Sequence, residues 1–570
     1  MLDPGRQAVV IEKPSNGLAG LKHWRYDMVA GLMVSLTSLP LSLGIAVASG
    51  APPIAGLISS IIAGLLLPFL GGSFVTISGP AAGLAPALLI AMTQLGHGNL
   101  AMGYPRLLAV ICMAGMIQVV LSRVGAAKLS AAFPAVVVEG MLASIGFMII
   151  AKEMPHFLGH SYQAHDFFGI VRETPAELGL VQWRVLAVGI VCLAILFKMP
   201  RLQIRYLRSV PPPLLVVCMG IVLGQILGLS GTHLIHVPDN VLAHGIVLPD
   251  FAGLFADQSL FWIVVATVLT LVMIDGVESL ATIAAVDRID PFHRKSDPDR
   301  TLLAMGVSNV CSSVVGGLTI IPGGVKSKVC VVNGGRTLWA NFTNACCLIC
   351  FLFVARPFIN LIPYAALAAI LIYTGYRMCE PVLWRHVAHI GREQLALFTV
   401  TVVATLATDL LWGITIGMML KLCLNLALSV KGTPRKWSAS DGLDVVAGSR
   451  LVVEHLVDFF GNPVTERQRI GDCYLIRFDG PLVCFNAFHL HRELRQIPPG
   501  TADVILHFGE RVSLIDHTTC EYLLDFVEEH RRTVGWVEII GMERLVQSSP
   551  AETSMRLAPS RLTPVPAPAV

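Results

Sequence analysis

The sequence predicts an α-helical protein that crosses a membrane many times and ends in a small α/β domain. Three observations predict this fold class. Of the 570 residues, 54% are hydrophobic and only 14% are charged, and the mean hydropathy is +0.69. Apolar stretches recur between residues 25 and 430 and are long enough to span a bilayer. From about residue 440 the composition becomes that of a soluble domain, and a net charge of only +3 does not suggest nucleic acid as a partner.

The membrane region, residues 25–432, is predicted to contain 14 segments, about 12 of full length and two that are too short to span alone. Residues 1–24 are polar and lack the apolar core of a signal peptide, so we expect this segment in the cytoplasm. Counting from there places the basic loops inside, as membrane proteins prefer. An even number of crossings then puts both termini in the cytoplasm. The basic residues of these loops are Arg123, Lys128, Lys198, Arg201, Arg205, Arg208, Arg288, Arg294, Lys295 and Arg300.

Two apolar segments are interrupted by glycine and proline. The first interruption reads GGSFVTISGPAAG (71–83) and the second GGLTIIPGGVKSKV (316–329), and their GG pairs are 245 residues apart. A broken helix leaves backbone groups without partners, which lipid tolerates only where they line a protein cavity. Seven segments per half would give the two halves opposite orientations, and paired broken segments in such halves point to a transporter site.

The helices that follow the interruptions are predicted to start partway across the membrane. The helix after Pro80 is expected to end near residue 94, about 22 Å long, whereas the hydrocarbon core is about 30 Å thick. Its counterpart is expected to begin near Gly324 and to approach from the other side. Helix N-termini are partially positive, so two that face each other predict an anion site. The alternative is that these glycines only allow close helix packing.

The C-terminal region, residues 440–548, is predicted to contain a β-α-β unit. Its strands are ADVILHF (502–508) and WVEIIG (536–541). The helix between them has an apolar face of four residues: Cys520, Leu523, Leu524 and Val527. The proline-rich tail 549–570 is expected to be disordered.

Four motifs in this order resemble the SulP/SLC26 family of anion transporters over residues 24–548. They are WRYDMVAGLMVSLTSLPLSLGIAVASGAPPIAGL, GGSFVTISGPAAG, VESLATIAAVD and KSKVCVVNGGRT. The soluble region resembles the STAS domain of that family. The first motif and two further segments are most similar to bacterial members that resemble bicarbonate transporters. These segments are GMLASIGFMIIAKEMP and AVDRIDPFHRKSDPDR.

The resemblance implies a seven-plus-seven inverted repeat in which a core domain moves a small anion past a gate domain. Bicarbonate is the first candidate, sulfate or a dicarboxylate comes next, and an anion sensor without net transport is a further alternative. The resemblance also implies a binding site between the third and tenth segments, with side chains from the first. By position it comprises Leu41, Ile45, Gly79, Ala81, Gly324, Val325 and Lys326.

A carboxylate inside the membrane is a functional hypothesis by default, and Glu278 is one turn before Thr282 in LVMIDGVESLATIAA, close to Asp275. The resemblance implies that the 278 and 282 positions help to bind sodium. A buried carboxyl group can instead carry a proton, and an ion pair of Glu278 with Lys326 would be purely structural.

The sequence also carries expectations about chemistry, location and assembly. No enzyme active site, metal site or cofactor is predicted, apart from Na⁺ as a coupling ion. The resemblance implies a bacterial plasma-membrane location, a homodimer and a cytoplasmic partner or regulator at the STAS domain.

Overall fold

The structure of the protein is a computed structural model that divides into two compact units. One unit lies within residues 1–127 and 145–378, the other within 128–144 and 379–570. Four basic residues of the predicted cytoplasmic loops, Lys128, Arg201, Arg205 and Arg208, lie outside the described part of the chain. The structure describes residues 13–125, 127, 133–160, 162–164, 166–199, 211–236, 246–408, 410–432, 445–471, 473–498, 501, 503–533 and 535–559.

The first unit is mainly helical, as its apolar composition predicts. A 3₁₀ turn, Gly17–His23, leads into the first helix. The helices in chain order are α1 (Trp24–Ala48), α2 (Pro53–Leu70), α3 (Ala85–Leu95), α4 (Leu100–Arg123), α5 (Ala135–Leu158, whose first ten residues belong to the second unit), α6 (Phe167–Glu177), α7 (Trp183–Lys198), α8 (Pro212–Ile226), α9 (Phe251–Ala256), α10 (Phe261–Ile289), α11 (Pro298–Val314), α12 (Gly324–Val332), α13 (Trp339–Val354), α14 (Arg356–Ile359) and α15 (Tyr364–Met378).

Within the described residues, six helical segments are long and apolar enough to cross a membrane alone. They are Gly17–Ala48, Pro53–Leu70, Leu100–Arg123, Ala135–Leu158, Gln258–Ile289 and Leu410–Ser429. Three shorter helices, α3, α8 and α13, are also apolar. These helices confirm a helical fold with many membrane crossings. Within the same described ranges, any further crossing would use the shorter or interrupted helices.

Glycines outside the two interruptions also allow close helix packing in the first unit. Helices α4 and α11 meet at Gly115 and Gly306, where a Cβ on either residue would lie 2.8 Å from the carbonyl oxygen of the other. Helix α2 approaches α13 at Gly64, where a Cβ would clash with the Asn341 carbonyl oxygen. Small residues therefore let these helices approach closely, as membrane helices commonly do.

The interruptions themselves form two short strands, β1 (Ile77–Pro80) and β2 (Ile320–Gly323). They pair antiparallel, with Ile77 opposite Gly323 and Pro80 opposite Ile320. The two broken segments, distant in sequence, are thus adjacent in space. Their glycines also allow close packing, since a Cβ on Gly72 would lie 2.7 Å from the Thr301 backbone nitrogen.

The second unit combines helices with a small α/β module. Its helices are α16 (Pro381–Ile390), α17 (Arg392–Ala407), α18 (Leu410–Gly432), α19 (Val445–Phe460), α20 (Ala487–Arg495) and α21 (His517–Thr533). Its strands are β3 (Val464–Ile470), β4 (Cys473–Phe478), β5 (Asp503–Phe508), β6 (Leu514–Ile515), β7 (Trp536–Ile540), β8 (Val546–Gln547) and β9 (Arg556–Leu557).

The predicted β-α-β unit is confirmed: β5 and β7 pair in parallel in a sheet of order β3-β4-β5-β7, and α21 connects them. On α21, Cys520, Leu523 and Val527 are buried in the core of the module and Leu524 packs against it. This α/β make-up fits a STAS domain.

The folded part of the module extends beyond residue 548, so the expected start of the disordered tail is wrong. Strand β9 pairs antiparallel with both β6 and β8. The polar composition around residue 550 concealed a strand because its pairing partners come from elsewhere in the chain. Residues 560–570 lie outside the described range.

Helix α18 is joined to the α/β module by a buried ion pair. Lys421 Nζ lies 3.6 Å from Asp516 Oδ2, and both side chains are fully buried. Asp516 also accepts hydrogen bonds from the backbone amides of Cys484 (2.9 Å) and Thr519 (2.9 Å) and from Asn425 Nδ2 (3.3 Å). Burial raises the pKa of the Asp516 carboxyl, but the Lys421 ammonium and these amides outweigh burial and leave the pKa below its usual value.

Candidate anion-binding site

The strand pair β1–β2 is held by polar side chains from three helices. Ile77 N donates to Ser327 Oγ (2.9 Å), Ser78 N to Asn341 Oδ1 (3.1 Å), and Ile320 N to Asn309 Oδ1 (2.6 Å). Backbone groups released by the broken helices thus find protein partners, as a low-dielectric interior requires. This anchoring fixes where the next helices begin.

Each strand is followed by a short helix whose N-terminus has no side-chain cap. Helix α12 begins at Gly324, as the sequence predicts, with Gly323 at the N-cap. Helix α3 begins at Ala85 instead of directly after Pro80, because residues 82–84 form a turn. Its 11 residues span about 16 Å, less than the 22 Å expected. Uncapped N-termini leave backbone N–H groups to bind an anion, although at α3 the Ala85 amide already donates to the Ala82 carbonyl oxygen (3.3 Å) and Pro86 has no N–H.

The site residues named from the sequence fall into a buried set and an exposed set. Leu41 and Ile45 on α1 are buried, as is Ala81 directly after β1. Helix α1 packs against α3, β1 and α12. Gly324 and Val325, in the first turn of α12, are exposed, Val325 by 55%.

Lys326 points away from this exposed turn. Its side chain is 2% exposed, and its Nζ donates to Ser42 Oγ (3.2 Å) and Ser60 Oγ (3.4 Å). The ammonium also lies against Gly79, where a Cβ would be 2.5 Å from Nζ. Lys326 and Gly79 are therefore brought together, and the charge lies behind the strand and not in the open turn.

The structural ion pair considered for Glu278 is contradicted. Among the described residues, Glu278 and Lys326 do not approach within ion-pair distance, because the ammonium is engaged by the two serines. Glu278 instead contacts the turn before α3: a Cβ on Gly83 would lie 2.5 Å from Glu278 Oε2 and 2.7 Å from Oε1. Within that part of the chain, Oε2 is buried without a hydrogen-bond partner.

Thr282, one turn further along α10, lies beside the start of α12. Its Cγ2 would be 3.9 Å from a Cβ on Gly324. Helix α10 thus presents Glu278 to one short helix and Thr282 to the other. The pair named from the sequence is adjacent to both N-termini of the candidate anion site.

Asp275 belongs to a separate network that sequence reasoning missed. The carboxylate is buried and accepts hydrogen bonds from Gln118 Nε2 (2.7 Å), Asn309 Nδ2 (2.7 Å) and Ser279 Oγ (3.1 Å). Since Asn309 also holds Ile320, Asp275 helps to anchor β2. Polar residues isolated in apolar helices indicate that a buried hydrogen-bond network exists, but the sequence does not show which of them bond to each other.

Comparison with known proteins identifies the class. The sequence model of the sulfate permease family matches residues 24–403, so the chain belongs to the sulfate permease family and is an anion transporter, not an enzyme. The match covers the helices that build the site and ends before the α/β module. The resemblance to SulP/SLC26 proteins is thereby confirmed.

The similar proteins are named for two different anions. The putative sulfate transporter YvdB of Bacillus subtilis is 24% identical over 70% of this chain and 73% of its own length. The bicarbonate transporter BicA of a Picosynechococcus species is 22% identical over 88% of this chain and 87% of its own length.

Two solved structures share the fold. The transmembrane domain of a cyanobacterial bicarbonate transporter BicA has a TM-score of 0.62 at 21% identity, covering 72% of this chain and 99% of that domain. The overall structure of SLC26A9 has a TM-score of 0.62 at 14% identity, covering 90% and 84%. The second match extends over the α/β module as well.

Proposed function

We propose that this chain is a secondary active transporter of bicarbonate, coupled to sodium or protons, in which an elevator-like movement of a core domain carries the anion across the membrane. The observation that carries the proposal is the pair of uncapped helix N-termini held by β1–β2 and flanked on α10 by Glu278 and Thr282. Such N-termini favour a small anion, and the carboxylate beside them favours a cation.

The surroundings of the site offer few polar side chains to an anion. Leu41, Ile45 and Ala81 supply only apolar surface, so an anion there depends on backbone N–H groups and on positive charge. Lys326 supplies charge from behind β1, although its ammonium is committed to two serines. The relatives named BicA support bicarbonate as the substrate.

The coupling cation would bind at Glu278. Its unpartnered Oε2 offers an acceptor for a proton or a sodium ion, and Thr282 adds a hydroxyl one turn away on the same helix. Loading this carboxylate with a cation removes a negative charge close to the anion. Cation and anion would therefore bind cooperatively, which is the requirement for coupled transport.

Uptake into proteoliposomes tests the function. Labelled bicarbonate, sulfate and a dicarboxylate would be supplied separately, with an inward sodium gradient, with a pH gradient, and with neither. Bicarbonate accumulation driven by one gradient is expected. Sulfate uptake without bicarbonate uptake would support the alternative that the family description and YvdB favour. Binding without uptake would indicate a sensor and would contradict the proposal.

The assembly completes the proposal. We expect a homodimer in a bacterial plasma membrane with both termini in the cytoplasm, and a regulatory partner at the STAS-like module. Dimer mass in detergent and protease access from each side of the membrane would test these points.

A further inference from the structure

Helix α5 contains a lysine that the proposed mechanism does not use. Residues 141–151 read MLASIGFMIIA and contain no charged side chain, and Lys152 follows directly. Lys152 lies within α5, an apolar helix long enough to cross a membrane, and its side chain is half-buried. A charge at such a position is costly and is usually functional.

The Lys152 ammonium lies beside the first turn of α3. Its Nζ donates to the carbonyl oxygen of Pro86 at 3.3 Å, and Pro86 is the second residue of α3. An ammonium has three N–H donors, and this contact uses one. The Lys152 side chain is therefore next to one of the two N-termini of the candidate anion site.

No carboxylate neutralises Lys152 within the described parts of the chain. The carboxylate of the adjacent Glu153 contacts His156, with Glu153 Oε2 3.4 Å from His156 Nδ1. In this described region Glu278 makes no ion pair with Lys152 either. A neutral carbonyl oxygen does not balance a full positive charge in a low-dielectric region. The positive charge of Lys152 could therefore be balanced by a mobile anion.

We propose that Lys152 is a ligand of the transported anion, contributing a second positive charge that meets the substrate at the start of α3. This inference rests on the proposed anion transport and adds a residue to its site. Lys326, 2% exposed and held by Ser42 and Ser60, acts from behind the strands. Lys152, half-buried and held by one carbonyl, can turn donors toward the anion.

The test compares Lys152→Met and Lys152→Arg with the matched control Lys198→Met. Lys198 is an exposed lysine at the end of α7, without a described contact to the site. A hydrogen bond to a charged group is typically strong enough that losing it weakens binding about ten- to hundredfold. We expect Lys152→Met to raise the KM for bicarbonate uptake by that factor, with the arginine and control variants near wild type.

Comparing anions with one and two charges distinguishes direct binding from a structural role of Lys152, because a structural role would weaken the binding of both anions equally. Calorimetry in detergent should show a larger loss for sulfate, with two charges, than for bicarbonate. Unchanged KM and affinity in a folded Lys152→Met protein would overturn the inference, as would equal losses in the methionine and arginine variants. If Lys152→Met does not fold, Lys152→Gln takes its place under the same criteria. Wild-type protein that binds none of these anions would instead refute the proposed function.

Discussion

Replacing Gly83 with alanine should weaken cation coupling without removing the carboxylate that performs it. A Cβ at this position would lie 2.5 Å from Glu278 Oε2, 2.7 Å from Oε1 and 2.9 Å from Cδ, whereas ordinary contact begins at 3.4 Å. The carboxylate must therefore move by about 0.9 Å. It is the far end of a flexible side chain, so the backbone of α10 can stay in place.

The size of the loss in cation affinity depends on which state of the protein is destabilised by the added methyl group. Overpacking a well-packed site costs about 1–3 kcal/mol. If the cation-bound state needs the carboxylate in its original position, the cost falls on that state and lowers cation affinity about 5- to 150-fold. The free protein relaxes, so its thermal unfolding should change little.

Proteoliposome uptake at fixed bicarbonate, with sodium concentration or pH varied, measures the half-saturating cation concentration. The matched control is Gly276→Ala: Gly276 lies in the same helix, two residues before Glu278, and a Cβ there would meet nothing within 4 Å. Alanine in a helix interior is favoured over glycine by about 0.5–1 kcal/mol, so the control should be as stable as wild type or more stable. A Gly83→Ala protein with the same half-saturating cation concentration as the control would contradict a cation site at Glu278.

Four further predictions concern charged side chains. Glu278→Gln fixes a neutral carboxamide and should abolish accumulation driven by sodium or a pH gradient; unchanged gradient-driven uptake would reduce Glu278 to a structural role. Lys326→Ala should weaken anion binding about tenfold or more by calorimetry, and adding Glu278→Gln should not restore it, because the two groups are not paired; recovery in the double variant would contradict the structure. Lys421→Met leaves Asp516 buried without its cation and should destabilise the second unit by about 3–5 kcal/mol, with part of the loss recovered in Lys421→Met/Asp516→Asn. The pKa of Asp516 lies below its unfolded value of about 3.9, so the stability that its carboxylate contributes is present above about pH 4 and is lost on acidification through the folded pKa. Thermal unfolding between pH 7 and 3 should show this loss of stability. An identical pH profile in Lys421→Met would count against a role of the ion pair in it.

Features encoded in neighbouring residues could be predicted from the sequence. Glycine and proline interrupt helices locally, so the positions of both broken segments and the start of α12 at Gly324 followed from composition alone. The spacing of Glu278 and Thr282 placed them one turn apart on one helix. The β-α-β unit followed from the alternation of apolar residues between 502 and 541.

Contacts between segments that are distant in the chain could not be predicted from the sequence. The partners of Lys326, Ser42 and Ser60, are 284 and 266 residues away, so no periodicity could show that its ammonium lies behind β1 and not beside Glu278. The same holds for Lys152 and Pro86, 66 residues apart, and for strand β9, which forms only because β6 and β8 supply its partners. Local residue patterns determine most helices and the longer strands, because they act through the backbone of one segment. The orientation of a buried charged side chain depends on hydrogen-bond partners in distant segments, because a buried charge without such partners is energetically costly.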